Sequence, residues 1–208
     1  MTNVLVLGAS GQIAAWAIDM IAEQGAQLSL LARDKTRIRR VPAGSRIFEG
    51  DARDVDTLAE AVRGQDIVYA NLAGDVDQQA PAIVEAMQEE GVQRLIFIAS
   101  LGIHDEVPGA FGRWNDRTIG EGLKAYKAAV EAIETSSLAY TVLRPAWLSD
   151  ADEVNYETTQ RNEPFKGTTV SRKSVAALVA KIVAHPDQHV REDLGVNKPG
   201  TDGDQPVW

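Results

Sequence analysis

Two glycines stand where an apolar run of the chain passes into a helical pattern. Residues 4–14 read Val-Leu-Val-Leu-Gly-Ala-Ser-Gly-Gln-Ile-Ala, with Gly8 directly after the apolar run and Gly11 three positions later. Gly8 permits a sharp turn, and Gly11, which lacks a Cβ, lets backbone N–H groups approach a phosphate. A helix that begins there adds free N–H donors and partial positive charge. The pattern predicts binding of a dinucleotide pyrophosphate, with a plain tight turn as the alternative.

A second candidate for chemistry is Arg33, at the end of the next apolar run. A guanidinium at the end of the second strand can pair with the 2′-phosphate of NADP, and Arg37 is close enough in sequence to assist it. Asp34 is the competing residue, because a carboxylate at this position would accept a hydrogen bond from the ribose hydroxyl of NAD. The sequence favours NADP(H) and leaves NAD(H) open.

These residues require a scaffold, and the hydrophobic pattern predicts alternating strands and helices. Apolar runs that do not alternate with polar residues are typical of strands covered on both faces. Such runs predict strands at 4–7, 27–31, 46–48, 67–70, 95–99 and 140–143. Helical spacing predicts helices at 13–23, 55–62, 80–90, 118–135 and 175–185. The predicted fold class is α/β, a doubly wound parallel sheet of Rossmann type.

The pattern changes after residue 145. Residues 146–170 have no clear periodicity, and the helix that follows them leads into a polar tail rich in Gly, Pro and Asp. We therefore expect one domain over residues 1–208. Within it, residues 146–208 should form a small C-terminal lobe on the substrate side, over the carboxyl ends of the strands.

Aromatic residues are concentrated in the segments that would lie over this cleft. A flat, apolar substrate could stack on them, although packing of the lobe on the sheet is the alternative. Seven of the twelve Phe, Tyr and Trp residues lie between positions 111 and 165, and six of these lie outside the predicted strand 140–143: Phe111, Trp114, Tyr126, Trp147, Tyr156 and Phe165.

Composition excludes several functional classes. A net charge of −9 argues against a nucleic-acid or anionic-membrane partner. The chain has no cysteine, which excludes disulfides, Cys-ligated metals and thiol catalysis, and no spacing of His, Asp and Glu predicts a metal site. Without a signal-peptide pattern or a long apolar segment, we expect a cytoplasmic protein, either a monomer or a homodimer.

Further motifs extend the similarity to a known family. The chain resembles the atypical short-chain dehydrogenase/reductase superfamily, in particular its NAD(P)H-binding, NmrA-like group, whose relatives include flavin and biliverdin-IXβ reductases. The resemblance covers residues 4 to about 175. Its motifs are Gly8-Ala-Ser-Gly11, Leu31-Ala-Arg33-Asp34, Gly50-Asp51-Ala-Arg-Asp54, Asn71-Leu-Ala-Gly74, Ile98-Ala-Ser100 and Tyr140-Thr-Val-Leu-Arg144-Pro145.

The resemblance implies a set of cofactor contacts. Asp51 and Ala52 would lie along the adenine, although Asp51 or Asp54 could instead cap a helix. The stretch that begins at Asn71 would line the cofactor, with a plain turn at Gly74 as the alternative. The expected cofactor-binding residues are Gly8, Ser10, Gly11, Gln12, Ile13, Arg33, Asp51, Ala52, Asn71, Ala73, Gly74, Lys127 and Pro145.

The catalytic motif of the superfamily is incomplete here. Its usual pattern is Tyr-x-x-x-Lys on a helix with an upstream Ser, where the Tyr is the general acid. Ser100 and Lys127 match, but Leu123 stands in the Tyr position. Tyr126 is adjacent to Lys127 and points about 100° away around the helix. The catalytic candidates are Ser100, Lys127 and Tyr126, with helix packing the alternative for Tyr126 and a solvated face the alternative for Lys127.

Three explanations of the missing Tyr remain open. Tyr126 reaches the site from the neighbouring helix face, or hydride transfer to an acceptor such as a flavin takes its proton from solvent, or the protein binds cofactor without turnover. His104 follows Ser100 on the same loop and is either a proton donor or, as the sequence favours, a surface histidine.

The sequence thus predicts an NADP(H)-binding oxidoreductase that reduces a small, flat, apolar acceptor, such as a flavin or quinone, by direct hydride transfer. The alternative is a non-catalytic NADP(H)-binding redox sensor or regulator of the NmrA type, so enzymatic activity is left open. A sugar-nucleotide epimerase-like enzyme is a third option. It fits less well, because the chain is short and Leu123 replaces the Tyr that such enzymes use.

Overall fold

Ten strands and five α-helices alternate along residues 1–207, the part of the chain that the computed structural model describes. The strands are β1 Asn3–Leu7, β2 Gln27–Ala32, β3 Arg46–Glu49, β4 Ile67–Ala70, β5 Arg94–Ile98, β6 Ala139–Pro145, β7 Trp147–Ser149, β8 Glu157–Gln160, β9 Thr169–Ser171 and β10 Glu192–Asn197. The helices are α1 Gln12–Glu23, α2 Val55–Val62, α3 Val76–Glu89, α4 Gly109–Thr135 and α5 Arg172–Ala184.

Eight of these strands form one sheet in the order β3-β2-β1-β4-β5-β6-β10-β8. Every neighbouring pair is parallel except β10 and β8, which run antiparallel. The chain moves outward from β1 to β3 and then returns to place β4 on the other side of β1. This reversal of strand order is the position where doubly wound sheets bind ligands, at the carboxyl ends of the strands. The predicted fold class is confirmed.

Helices cover both faces of the sheet. Side chains of β1 alternate between the faces, so that Val4 and Val6 pack in one core cluster with residues of α1 and α5. Leu5 and Leu7 pack in the other cluster, with residues of α2, α3 and α4. Burial on both faces explains why inner strands such as β1 and β4 are almost entirely apolar.

The predicted helix starts differ most at α4. It begins at Gly109, after Pro108, rather than near residue 118. Pro108 stands immediately outside the helix, and the first two turns mix apolar and polar residues, so helical periodicity is weak there. The extra turns carry Trp114 and Asn115 toward the C-terminal part of the chain, where Trp147 contacts both residues.

The C-terminal region is divided between a lobe and the main sheet. β7 and β9 form a separate two-stranded ladder just beyond the carboxyl end of β6, as a lobe over the strand ends would. The polar tail, however, contains β10, an inner strand whose Leu194 and Val196 are fully buried. The predicted lobe over 146–208 therefore also supplies two strands of the main sheet, and its final residue, 208, lies outside the described residues.

Within residues 1–207, no helix combines the length and the apolar character that a membrane span requires.

Candidate functional site

Two adjoining cavities follow the carboxyl ends of the parallel strands. A polar cavity of about 370 Å³ lies at the ends of β1, β2 and β3. An apolar cavity of about 380 Å³ lies beyond the ends of β5 and β6. Five residues, at the point between β1 and β4 where the strand order reverses, line both cavities: Gly11, Gln12, Asn71, Leu72 and Ala73. The two cavities therefore form one elongated groove.

The glycine turn lies in the middle of this groove because Asn71, which follows β4, passes directly against it. Gly8 has φ +77°, and a Cβ there would overlap the Asn71 backbone carbonyl. A Cβ on Gly11 would overlap the Asn71 side-chain amide. Gly11 is the N-cap residue of α1, and no side chain caps that helix end in the described structure. Backbone N–H groups of the first turn thus face the groove as an anion site would require.

Three guanidinium groups surround the polar cavity. Arg33, Arg37 and Arg39 all line it, and within residues 1–207 none of their side chains has a hydrogen bond or ion pair. Arg39 was missed from the sequence, because it follows a short 3₁₀ helix, Lys35–Arg37, rather than the end of a strand. The three positive charges lie where an anionic group on the adenosine side of a dinucleotide would be bound.

Asp34 is directed away from this cavity. Its carboxylate accepts hydrogen bonds from the Thr36 hydroxyl at 2.5 Å and from the Thr36 backbone N–H at 2.9 Å. These two bonds hold the pKa of Asp34 below its usual value, and the bond from the Thr36 hydroxyl has the larger effect. Asp34 is the N-cap of the 3₁₀ helix and does not line the groove.

Asp51 and Ala52 both line the polar cavity, but the Asp51 carboxylate already has a partner. Arg53 donates to it at 2.9 Å, and this hydrogen bond is the main reason that the pKa of Asp51 is lowered. The helix-capping role belongs to Asp54, which accepts from the Thr57 backbone N–H at 3.0 Å. Asp51 therefore remains at the cavity wall as an already paired carboxylate.

The stretch after β4, residues 71–74, lines the groove except at its last residue. Asn71 and Ala73 line both cavities, whereas Gly74 lines neither and has the φ of +88° that suits a turn. The remaining predicted cofactor residues, at the glycine turn and at the end of β6, also lie along the groove. Those are Ser10, Gln12, Ile13 and Pro145.

Ser100 and Tyr126 lie together in the apolar cavity. The Ser100 hydroxyl makes only a long contact, 3.3 Å, with the Leu101 carbonyl oxygen. The Tyr126 hydroxyl donates to the Leu72 carbonyl oxygen at 3.2 Å. Burial raises the pKa of Tyr126, so its phenol keeps its proton at neutral pH.

Lys127 is not brought to this site. Its side chain is exposed and lines neither cavity. Consecutive residues on a helix point about 100° apart, and Tyr126 has the cavity-facing position. Leu123, in place of the superfamily's Tyr, is buried near Gly102 in the loop after Ser100. The structure thus assembles Ser100 and Tyr126 but leaves the third catalytic candidate in solvent.

His104 lies in a buried ionic network, and the prediction of a surface histidine is wrong. Its Nε2 is 2.7 Å from Asp193 Oδ2, and its side chain is 12 % exposed. Asp193 also accepts from Arg144, which is fully buried and donates to Glu106 as well. No sequence pattern indicated these contacts, because β10, the strand that carries Asp193, was not predicted.

Glu106 connects this network to the loop after Ser100. Its carboxylate accepts from the backbone N–H groups of Gly102 at 2.9 Å and His104 at 3.0 Å. Glu134 completes a group of three possible metal ligands with His104 and Asp193. Because Asp193 pairs with Arg144 and Glu134 pairs with Arg161, we assign the group to the ionic network and not to a metal.

Comparisons with known proteins agree with this geometry. A family model described as NAD(P)H-binding matches residues 8–186. A Rossmann-fold NAD(P)-binding family protein from Shigella flexneri is 49% identical, with 100% of this chain and 99% of that chain covered and a TM-score of 0.87. A short-chain dehydrogenase/reductase from Veillonella parvula, solved in complex with NADP, is 26% identical over 100% of this chain and 99% of its own, with a TM-score of 0.93.

More distant structures share the fold alone. ChuY, an anaerobilin reductase from Escherichia coli O157:H7, is 21% identical, with 97% of this chain and 100% of that chain covered and a TM-score of 0.82. No curated protein matches the sequence.

Proposed function

The chain belongs to the NAD(P)H-binding family, and from this premise we propose that it is an oxidoreductase that passes a hydride from NADPH to a small, flat, mainly apolar acceptor such as a flavin or quinone. The observation that carries the proposal is the continuous groove. Its polar half fits the adenosine end of a dinucleotide, and its apolar half has room for a nicotinamide and an acceptor beside Trp147.

The charges at the polar end support NADPH over NADH. Arg33, Arg37 and Arg39 offer guanidinium groups to a 2′-phosphate, and Asp34, the residue that would favour NAD, is bonded to Thr36 instead. The likeness to the Veillonella parvula protein, which was solved with NADP, supports the same choice.

The residue types along the groove support this choice of cofactor. Gly11 leaves the backbone of the turn uncovered beside the Asn71 amide, which a Cβ would overlap, and the first turn of α1 lacks a side-chain cap, so its N–H groups are available to a pyrophosphate. Arg33 would bind the 2′-phosphate. Ser100 and Pro145 would hold the nicotinamide end, with Trp147 limiting water at the apolar cavity.

When bound, NADPH supplies the hydride, which is two electrons and one proton, and becomes NADP⁺. The acceptor gains the hydride and takes one further proton from solvent. The Tyr126 hydroxyl directs its hydrogen bond to the Leu72 carbonyl oxygen. In this proposal the proton comes from solvent, and no protein acid takes part. A flavin or quinone suits this mechanism because its reduced form is readily protonated in water.

The second candidate function is a non-catalytic NADP(H)-binding sensor. The observation that favours it is the position of Lys127, outside the cavity that holds Ser100 and Tyr126. Without that lysine, the usual arrangement of the superfamily is incomplete twice over, since Leu123 has also replaced the Tyr.

NADPH oxidation with FMN, riboflavin and menadione as acceptors distinguishes the two functions. A reductase should oxidise NADPH at a rate that rises with the concentration of at least one acceptor. Gly11→Val should abolish the reaction by blocking cofactor binding. Tight NADPH binding by titration, together with no reduction of any acceptor, would favour the sensor function over the reductase function.

A further inference from the structure

A single charged side chain, Arg172, lines the apolar cavity among the residues that the structure describes. The other lining residues are apolar or carry uncharged polar groups at neutral pH, including Gln12, Asn71 and Ser100. The chain as a whole has a net charge of −9, so a lone cation at this position is opposite in sign to the average surface. A cation beside an apolar surface is an arrangement that binds planar molecules bearing an anionic group.

Arg172 lies at the acceptor end of the groove. It is the first residue of α5, and its side chain is only 19 % exposed. It borders a further cavity of the C-terminal lobe, between Leu148 and Thr201, but it does not line the polar cavity. Five residues line both halves of the groove, where the pyrophosphate of the proposed cofactor would cross, and Arg172 is not among them.

Arg172 is currently paired with a residue that a ligand can displace. Its Nη1 donates to Asp150 Oδ1 at 2.8 Å and is 3.5 Å from the Leu148 carbonyl oxygen. The Asp150 side chain is 82 % exposed, and ion pairs to exposed carboxylates contribute little net stability. A carboxylate or phosphate held by stacking in the cavity can therefore replace Asp150 at little cost.

We propose that Arg172 binds the anionic group of the acceptor, so that the preferred substrates are planar molecules bearing a carboxylate or phosphate. This inference rests on the proposed function, since it names the class of acceptor that the same cavity takes. Arg172 also borders a surface cavity of about 360 Å³ beside Gln12 of α1, so the pyrophosphate of the cofactor is the other source of an anion to be tested. The test separates these two sources.

FMN and riboflavin are a matched pair of probes, because they share the flavin ring and differ by one phosphate. Their affinities for the full chain saturated with NADP⁺ can be measured from flavin fluorescence, which requires no turnover. We expect FMN to bind at least about tenfold more tightly than riboflavin, the usual effect of one charge-assisted hydrogen bond. Arg172→Gln should reduce that ratio to nearly one.

Three further variants make the result specific. Arg172→Lys keeps the charge but loses the planar fork, so it should retain part of the preference. Asp150→Asn removes the competing carboxylate and should increase the preference for FMN. Lys173→Ala is the matched control, because this neighbouring cation pairs with Asp152 and does not line the cavity, and it should leave the ratio unchanged.

Several outcomes would overturn the inference. One is equal affinity of the unmodified protein for both flavins, and another is a ratio that Arg172→Gln does not change. A third is a loss in Arg172→Gln of more than about tenfold in NADP⁺ affinity with the flavin ratio intact, which would assign the arginine to the cofactor. If the FMN preference depends on Arg172 but no NADPH is oxidised, the anion site stands and the reductase proposal fails.

Discussion

Gly8 and Gly11 both face Asn71, yet they should respond differently to substitution. A side chain on Gly8 meets a fixed backbone carbonyl, and φ there is +77°. A side chain on Gly11 meets the Asn71 amide, which can rotate away. We therefore expect Gly11→Val to abolish NADPH binding with little loss of stability. Gly8→Ala should lower the free energy of unfolding by about 1–3 kcal/mol.

Calorimetric titration with NADPH and thermal unfolding of both variants test this difference. Unchanged NADPH affinity in Gly11→Val would refute the phosphate-binding role of the turn.

Arg33 should decide the choice of cofactor. If it pairs with the 2′-phosphate, Arg33→Ala should weaken NADPH binding by about 1.5–3 kcal/mol and leave NADH binding almost unchanged. Arg37 and Arg39 line the same cavity, so partial compensation would give a loss near the lower limit. Fluorescence titration of both cofactors measures the effect.

Lys35→Ala is the control for Arg33→Ala. Lys35 is a nearby exposed cation that pairs with Glu49 at 3.2 Å and does not line the cavity. Equal losses for NADPH and NADH in Arg33→Ala, or a preference of the unmodified protein for NADH, would count against the assignment.

Tyr126 should be dispensable as an acid. Tyr126→Phe removes one hydroxyl and its bond to Leu72 but keeps the packing of the ring. We expect acceptor reduction within about tenfold of the unmodified protein, compared with about 10²–10⁴-fold for the loss of a general acid. Because burial raises the pKa of the phenol, the pH–rate profile should have no tyrosine ionisation near neutral pH. A much larger loss of rate would restore a Tyr-based mechanism.

The buried network of Arg144, Asp193, Glu106 and His104 joins three elements behind the site. Arg144 belongs to β6, Asp193 belongs to β10, and the other two residues lie in the loop between β5 and α4. Glu106 uses the same carboxylate to hold the backbone of that loop, which begins at Ser100. The position of the apolar cavity wall therefore depends on charges outside the cavity.

Asp193 should make the stability of these elements depend on pH. Burial alone would raise the pKa of Asp193, but the hydrogen bond with His104 and the charge of Arg144 outweigh burial and lower this pKa. A lowered pKa in the folded state means that the stabilisation is present above the unfolded value of 3.8. It is lost as the pH falls through the folded value.

Asp193→Asn should lower the free energy of unfolding by about 3 kcal/mol or more near neutral pH, because the buried charge of Arg144 loses one of its two carboxylate partners. The difference from the unmodified protein should narrow as the pH falls below 3.8, where the carboxyl is protonated in the unfolded chain, and vanish below the lower pKa of the folded state. Urea unfolding over a pH series measures this difference in the free energy of unfolding. Asp187→Asn is the control, because Asp187 is exposed. A difference that does not change with pH would contradict this role of the carboxylate.

Local sequence patterns were enough to predict the first six parallel strands and most of the groove. All of those strands except β3 are almost wholly buried, and each cofactor motif lies at the end of a strand, so their positions could be predicted from neighbouring residues alone. Contacts between distant residues could not. β10 contains the polar residues Glu192, Asp193 and Asn197, and Asp193 is buried because it meets Arg144, 49 residues earlier.

The same limit applies to side chains of the site. Whether Tyr126 or Lys127 faces the cavity depends on the rotation of α4 against the sheet, which helical periodicity does not fix when both neighbours are plausible. Arg172 gave no motif at all. It reaches the cavity because the β7–β9 ladder brings the start of α5 beside Leu148.

The position of β10 also determines when the protein can complete its folding during synthesis. Among the described strands, β8 pairs with β10 alone, although β8 is made first. Until residues 192–197 have left the ribosome, β6 remains an open sheet edge and Arg144 lacks Asp193. Ribosome-bound chains that expose residues up to 187 should thus be cut by protease beyond β6, whereas chains that also expose β10 should be protected. Equal protection of both nascent chains would show that the segment beyond β6 becomes ordered without β10.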